Sequence, residues 1–199
     1  YFLGIDNYTL GQRKGQAMDP KTLGNIIHFF AYKYGGDQSL LEKKNIDEEL
    51  KEIFTYYEEE LTQEKLNISR KLALNYLEME EKVIIDRELL FYYDLEGFLV
   101  KGYIDQVIKI NGEYFIVDFK TSTLDEEELK KTYEKQLILY SAIYEKLYKV
   151  KVKAAYIFDL RGKNKILVET SEEKYKEVMD EFLDYINFIR SHKLLRDYL

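Results

Sequence analysis

The sequence predicts an α/β fold in which helices flank a central mixed β-sheet. The hydrophobic period changes from that of a helix to that of a strand near residue 83, and a long helical pattern returns after residue 124. Asn111-Gly112 separates two alternating runs, which is a strong hairpin signal. The predicted order is one helix, two inserted helices, three strands, a helix, two strands and a final helix.

Start and stop signals give the bounds of each element. Asp19-Pro20 joins an N-cap residue to a proline at the first helical position, and Gly35-Gly36 ends that helix near Tyr34. Ser171 is the predicted cap of the final helix. The other expected elements are helices at 46–61, 65–82 and 125–148 and strands at 83–93, 98–110, 113–120, 152–160 and 165–169.

The length of 199 residues suits one domain. We expect residues 1–199 to form a single domain, with an irregular lead-in at 1–18 and a helical insertion at about 37–82. The chain begins at Tyr1 without an initiator methionine, so we expect it to be a piece of a longer protein.

Charge and composition exclude several classes of protein. Thirty basic against 37 acidic side chains give a net charge of −7, which argues against holding nucleic acid by bulk electrostatics. Cysteine is absent, which excludes thiol catalysis, a zinc ribbon and an iron–sulfur cluster within these residues, and fits a cytoplasmic protein. No apolar run reaches the roughly 18 residues of a membrane span, so no membrane partner is expected.

The predicted hairpin brings two carboxylates together. A two-residue loop makes the residue numbers of every cross-strand pair sum to 223, which sets Asp105 opposite Asp118 and puts Lys120 on the same face. Two carboxylates ~5 Å apart repel by about 3 kcal/mol at an effective dielectric constant of ~20. A divalent cation would offset this repulsion, and oxygen ligands suit Mg²⁺. The alternative is an ordinary ion pair between Asp105 and Lys120 on a solvated face.

Four motifs occur in a recognisable order. They are Leu23-Gly24-Asn-Ile-Ile-His28, Gly102-Tyr-Ile-Asp105, Ile116-Val-Asp118-Phe-Lys120-Thr121-Ser122 and Gln136-Leu-Ile-Leu-Tyr140. Together they resemble the PD-(D/E)xK nuclease superfamily and are most similar to its RecB-like branch, the nuclease domains of RecB and AddB recombination enzymes. The resemblance implies a restriction-endonuclease-like core with elements in αβββαβ order.

The same resemblance implies a metal site that binds Mg²⁺ or Mn²⁺. His28, Asp105 and Asp118 would be its side-chain ligands, and the backbone carbonyl of Phe119 would add another. Taken alone, His28 is more simply read as a satisfied core or surface histidine.

Other residues are implied to act beside the metal. Lys120 would orient or activate the attacking water and stabilise charge on the phosphate. Gln136 and Tyr140 would stand next to the site, and Glu88 in the first strand is a further candidate. Without the resemblance, Gln136 is more simply interpreted as a structural residue of its helix, and Tyr140 as a core residue.

The implied function is a metal-dependent DNA exonuclease domain that hydrolyses phosphodiester bonds in DNA repair or recombination. Its partners would be DNA, as linear ends or single strands, and a helicase subunit or domain of the parent protein. The alternatives are a structure-specific or restriction-like endonuclease and a non-catalytic DNA-binding or scaffolding module. Two features depart from the family: many RecB-like nucleases hold an iron–sulfur cluster on four cysteines, and Ser122 stands where glycine is usual.

Overall fold

A computed structural model of the chain describes residues 19–37, 39, 45–79 and 83–191. The expected lead-in at 1–18 and parts of the expected insertion lie outside these residues. The described residues form five helices and five strands. The helices are α1 (Pro20–Tyr34), α2 (Ile46–Tyr56), α3 (Gln63–Met79), α4 (Glu126–Tyr148) and α5 (Glu172–Ser191), and the strands are β1 (Ile84–Leu95), β2 (Phe98–Ile110), β3 (Glu113–Lys120), β4 (Val152–Asp159) and β5 (Asn164–Glu169).

The predicted caps explain where the first helix begins and ends. The Asp19 carboxylate accepts a hydrogen bond from the Thr22 amide at 3.1 Å, and Pro20 occupies the first helical position. The Gly35 amide donates to the Ala31 carbonyl at 2.9 Å, which closes the last turn. The predicted bounds of α1 are therefore confirmed.

The two following helices differ from their predicted bounds. The predicted helix at 46–61 ends at Tyr56, because the backbone turns at Tyr57 and Glu58 takes a positive φ of 51°. The predicted helix at 65–82 is displaced to Gln63–Met79 among the described residues. Amphipathic spacing located both helices, but the local backbone turn set the end of the first.

The sheet is mixed, as predicted, with strand order β1-β2-β3-β4-β5. β3 and β4 pair in parallel through the crossover helix α4, and the other neighbours pair antiparallel. At the predicted β2–β3 turn, Asn111 and Gly112 have φ values of 52° and 89°, which is the type I′ geometry that suits a two-residue hairpin. This arrangement leaves β1 and β5 at the edges and β3 in the centre.

The predicted β2–β3 register holds for most of the hairpin and stops short of the carboxylates. The backbone partners run from Ile110 with Glu113 to Gln106 with Val117. Asp105 and Asp118 would be the next pair, but they are not joined in the ladder. A side chain replaces the expected backbone pairing here: the Phe119 amide donates to Asp105 Oδ2 at 2.7 Å.

The side chains of β1 change faces at Glu88. Arg87 lies toward α1, where its guanidinium donates to the Tyr32 carbonyl at 3.5 Å. Leu89, two residues on, packs against the core on the opposite face of the sheet. Residues two apart in a regular strand share a face, so the alternation is reversed between them. Glu88 has a φ of 46°, which is rare for a residue other than glycine and produces the reversal.

β2 reverses at the matching position. Gln106 faces α3, where its amide donates to the Tyr76 hydroxyl at 3.5 Å, whereas Ile104 packs into the opposite core. Asp105 lies between them and is opposite Glu88 in the register that joins the two strands. Glu88 and Asp105 therefore divide the β1–β2 ribbon into two halves. The inner half consists of residues 84–87 and 106–110, and the outer half consists of residues 89–95 and 98–104.

Two apolar cores enclose the sheet. One joins α1, α2 and α3 to one face of β2, β3 and β4, and the other joins α4 and α5 to the opposite face. Phe119 belongs to the first core. Its packing there holds in place the strand that also carries Asp118 and Lys120. Among the described helices, none is long and apolar enough to cross a membrane.

We predict that Gly102→Ala destabilises the protein. A Cβ atom at Gly102 would lie 2.5 Å from Phe91 Cζ and 2.9 Å from the Tyr140 hydroxyl, where the outer half of the ribbon meets α4. Overpacking of this kind costs about 1–3 kcal/mol in the free energy of unfolding, which denaturant titration followed by circular dichroism would measure.

Two further variants control this experiment. Gly102→Ala combined with Phe91→Leu should recover part of the lost stability, because the smaller side chain yields space. Lys101→Ala, at the exposed neighbouring position, should stay within about 0.5 kcal/mol of the wild type. If Gly102→Ala causes no loss of stability, the close packing of Gly102 against Phe91 and Tyr140 is contradicted.

Candidate metal centre

His28 reaches the end of β3 from the helix α1. The face of α1 that carries it also carries Gly24, which lies beside Thr121: a Cβ there would be in ordinary contact with Thr121 Oγ1, at 3.6 Å. His28 Nε2 lies 3.2 Å from the Phe119 carbonyl oxygen, and its ring meets the Phe119 ring edge-on at 6.0 Å. The imidazole is thereby fixed over the centre of the sheet.

Two carboxylates lie on the other side of the same imidazole. His28 Nδ1 is 3.4 Å from Asp105 Oδ1 and 3.5 Å from Glu88 Oε1. One ligand atom from each of the three residues lies within 4.8 Å of the others. The reversal of the ribbon directs the carboxylates of Glu88 and Asp105 toward His28. The positive φ of Glu88 is therefore part of the same local structure that positions the cluster.

Strong electrostatic coupling holds this group together. Burial by itself lowers the pKa of His28, but the charges and hydrogen bonds of Asp105 and Glu88 outweigh it and raise that pKa well above its usual range. Burial also acts to raise the pKa of Asp105, yet His28, Lys120 and the Phe119 amide bring it below its ordinary value. The Asp105 carboxylate and the His28 imidazole therefore stabilise each other's charged forms.

Asp118 and Lys120 form a second unit beside the first. Lys120 Nζ lies 2.7 Å from Asp118 Oδ2 and 4.0 Å from the centre of the Tyr133 ring. Burial acts to lower the pKa of Lys120, but Asp118 and Asp105 raise it above its usual range, so the amine stays charged. Burial, with a contribution from Asp105, raises the pKa of Asp118 even though Lys120 opposes this.

The backbone around Lys120 is held from two sides. The Leu160 amide donates to the Lys120 carbonyl at 2.9 Å, and the Asn75 side chain of α3 donates to the Leu160 carbonyl at 2.7 Å. Arg161 Nε donates to the Thr121 carbonyl at 2.5 Å. These bonds fix the end of β3 to the β4–β5 turn and to α3, which limits the positions open to the lysine.

Gln136 and Tyr140 lie on α4 at the edge of this region. Tyr140 packs edge-on against Phe91 with ring centres 5.0 Å apart, and its hydroxyl lies close to Gly102. Burial raises the pKa of Tyr140, whereas a hydrogen bond with Gln136 acts to lower it. Both residues are half-buried, and Tyr140 packs against the β1–β2 ribbon through Phe91.

The acidic group opens into a cleft of about 760 Å³ between α1 and the end of β3. Lys120, Tyr133 and Ser122 lie on the sheet side of the cleft. The Ser122 hydroxyl is buried and has no hydrogen-bond partner among the described residues. The cleft is large enough to hold a drug-sized or nucleotide-sized ligand.

The structure brings together most of the residues selected from the sequence. His28 and Asp105 meet, the Phe119 carbonyl lies beside them, and Asp118 is held by Lys120 rather than belonging to the three-residue group. Glu88, named only as a further candidate, is a full member of that group. The feature that could have identified Glu88 is its position opposite Asp105. That position depends on the register between β1 and β2, which the sequence did not specify.

The ligand chemistry fits a hard divalent cation. Two carboxylates, one imidazole and an adjacent backbone carbonyl are ligands that Mg²⁺ and Mn²⁺ accept. Asp105 lies close enough to Asp118 to contribute to the raised pKa of the Asp118 carboxyl. Asp105 is only 8% exposed, and His28, Lys120 and the Phe119 amide stabilise its carboxylate in this place.

Comparison with known proteins identifies the family. A family model described as the PD-(D/E)XK nuclease superfamily matches residues 1–194. Three curated relatives all carry names that describe them as ATP-dependent helicase/nuclease subunits. The Clostridium beijerinckii protein is 28% identical over an alignment of 189 residues, which covers 79% of this chain and 15% of that protein.

The other two relatives match shorter stretches. The Clostridium botulinum protein is 27% identical over an alignment of 122 residues, which covers 58% of this chain and 10% of that protein. A Clostridium kluyveri protein is 31% identical over 93 residues, 46% of this chain and 7% of that protein. The chain thus spans a small part of the length of these relatives. From its motifs, its mixed sheet and the match over residues 1–194, the chain belongs to the PD-(D/E)XK nuclease superfamily.

Proposed function

We propose that this chain is a metal-dependent DNA exonuclease domain of a larger helicase–nuclease that acts in DNA repair or recombination in the cytoplasm. The observation that carries the proposal is the convergence of His28, Glu88 and Asp105 beside the Lys120–Asp118 pair. A cation site next to a fixed positive charge, in one cleft, is what hydrolysis of a phosphodiester requires.

The cation would be held by His28, Asp105 and Glu88, with the Phe119 carbonyl and Asp118 completing the set. When bound, Mg²⁺ or Mn²⁺ supplies Lewis-acid chemistry, which polarises a phosphate and makes water a better nucleophile. Glu88, whose carboxylate lies within 4.8 Å of the ligand atoms of His28 and Asp105, would be added to the ligand set inferred from the motifs.

Lys120 would contribute a positive charge at the phosphate. Its amine is half-buried, is held by Asp118, and faces the same cleft as His28 and Glu88. A charge fixed in this way needs little reorganisation when negative charge develops on the phosphate oxygens. Gln136 and Tyr140 would act as positioning residues that support the ribbon beneath Asp105.

The helicase context comes from the relatives, which are named as helicase/nuclease subunits and are several times longer than this chain. A helicase in the same parent protein would unwind a duplex and deliver strand ends to the cleft. This delivery favours digestion from ends over cutting within a closed molecule.

We predict that the protein digests end-labelled linear DNA with Mn²⁺ or Mg²⁺ and leaves a covalently closed circle intact. Lys120→Ala should reduce the rate about 100-fold or more, because it removes a charge that stabilises the transition state. Lys71→Ala, at an exposed position of α3, should cut as fast as the wild type. Melting temperatures would show that both variants fold.

The same assay separates the alternatives. Cutting of the closed circle would identify an endonuclease. Failure to cut either substrate, although Mn²⁺ binds, would identify a non-catalytic DNA-binding or scaffolding module and overturn the proposal.

We predict that Mn²⁺ binding, measured by isothermal titration calorimetry, depends on Glu88 as well as on Asp105. Glu88→Gln and Asp105→Asn should each weaken binding about tenfold or more, since each removes an anionic ligand. Glu64→Gln, at an exposed position of α3, is the matched control and should bind as the wild type does. If Asp118→Asn abolishes binding and Glu88→Gln has no effect, the ligand set is the one inferred from the motifs and Glu88 is not a ligand.

A further inference from the structure

The amine of Lys120 lies over the face of an aromatic ring. Its Nζ atom is 4.0 Å from the centre of the Tyr133 ring. The other contacts between a lysine amine and a ring among the described residues are longer, at 4.7–5.9 Å. The face of a phenol ring carries partial negative charge, so it attracts an ammonium group. Tyr133 is therefore a second partner of this amine, beside Asp118.

The enclosure of Lys120 strengthens this contact. The side chain of Lys120 is 17% exposed, whereas that of Lys33, which contacts the Tyr34 ring, is 42% exposed. Water weakens the attraction between a cation and a ring, and it does so less where the lysine is enclosed. The ring of Tyr133 therefore contributes more to holding its lysine than a ring in contact with an exposed lysine does.

Tyr133 is held in place by α4, the helix that follows β3 along the chain. Asp125 and Glu128 form a reciprocal capping box at the start of this helix, with hydrogen bonds of 2.9 and 3.2 Å. The ring packs against the core that joins α4 and α5 to the sheet, and it also lines the cleft. Because the core holds the ring, the ring can fix the position of an amine in the cleft.

The two partners of Lys120 differ in what else they can bind. The Asp118 carboxylate also belongs to the proposed cation set, in which its charge would be shared between the cation and the amine. An aromatic ring is not a ligand for a hard divalent cation, which takes oxygen and nitrogen donors. The ring of Tyr133 therefore holds the amine without competing for the cation.

We propose that Tyr133 is a positioning residue that holds the charged amine of Lys120 in the cleft through the face of its ring. This inference rests on the proposed nuclease function, in which Lys120 stabilises negative charge on the phosphate. The aromatic ring carries the role, and the phenol hydroxyl does not contribute to it. The effect of Tyr133 on the reaction therefore passes entirely through Lys120.

The test measures kcat and KM on end-labelled linear DNA in Mn²⁺. Tyr133→Phe keeps the ring, whereas Tyr133→Leu keeps an apolar side chain and removes the ring. Both changes are also made in a Lys120→Ala background. Tyr185→Leu is the control, because Tyr185 is 47% exposed on α5 and lies outside the lining of the cleft. Melting temperatures and Mn²⁺ affinities show that each variant folds and keeps its cation site.

We expect Tyr133→Leu to lower kcat about tenfold, which matches the loss of an enclosed cation–π contact, and to leave KM within about threefold. Tyr133→Phe should stay within about twofold of the wild type, since the ring remains. In the Lys120→Ala background, Tyr133→Leu should cause no further loss, because the amine on which the ring acts is gone. An equal loss in both backgrounds, or a loss for Tyr133→Phe as large as that for Tyr133→Leu, would overturn the proposal.

A second measurement does not depend on cleavage. An aromatic ring shifts the NMR signals of protons above its face upfield, so the ε-methylene protons of Lys120 should resonate further upfield in the wild type than in Tyr133→Leu. Protein labelled with ¹³C-lysine shows these signals, and Lys120→Arg assigns them by their loss. Tyr133→Phe should keep the upfield shift. The same chemical shift in the wild type and in Tyr133→Leu would overturn the proposal.

Failure of the nuclease function gives a different result. A wild type that cuts no DNA in Mn²⁺, yet shows the upfield shift, would remove the nuclease function and support the hold of Tyr133 on Lys120. A wild type that cuts DNA with a kcat that Tyr133→Leu does not change would keep the nuclease and overturn the positioning role.

Discussion

One hydrogen bond, from the Phe119 amide to the Asp105 carboxylate, connects the sheet to the candidate site. It lies where the β2–β3 ladder ends, and it replaces backbone pairing with a contact to an acidic side chain. The same carboxylate faces His28 through its other oxygen. The Asp105 carboxylate both bonds to the backbone of β3 and contacts His28 in the cluster. The pairing of β2 with β3 therefore determines where the cluster lies.

The reversal of the β1–β2 ribbon gives the site its second carboxylate. A regular strand would direct Arg87 and Leu89 to one face and keep Glu88 on the other. The positive φ of Glu88 instead sends Arg87 toward α1, Leu89 toward α4 and the Glu88 carboxylate toward His28. A backbone conformation that is costly for glutamate is retained where it assembles a cluster of charged groups, which is typical of functional sites.

Most of the fold could be predicted from the sequence because its signals are local. Period, caps and the Asn111-Gly112 turn located the strands and the main helices, and the motifs selected His28, Asp105 and Lys120. The reversal at Glu88 and the place of Tyr57 in the lining of the cleft depend on contacts between distant segments. No local pattern encodes them: Glu88 reads as one more acidic residue of a strand until its partner across the ribbon is known.

The central claim is that one cation site is formed by His28, Glu88 and Asp105 at the end of the sheet. Its most direct test is a crystal of the protein soaked in Mn²⁺, with anomalous scattering used to locate the ion. We expect a peak among the His28 imidazole and the Glu88 and Asp105 carboxylates, beside the Phe119 carbonyl. A peak bound elsewhere, or full loading of the crystal with no ion at these three residues, would contradict it.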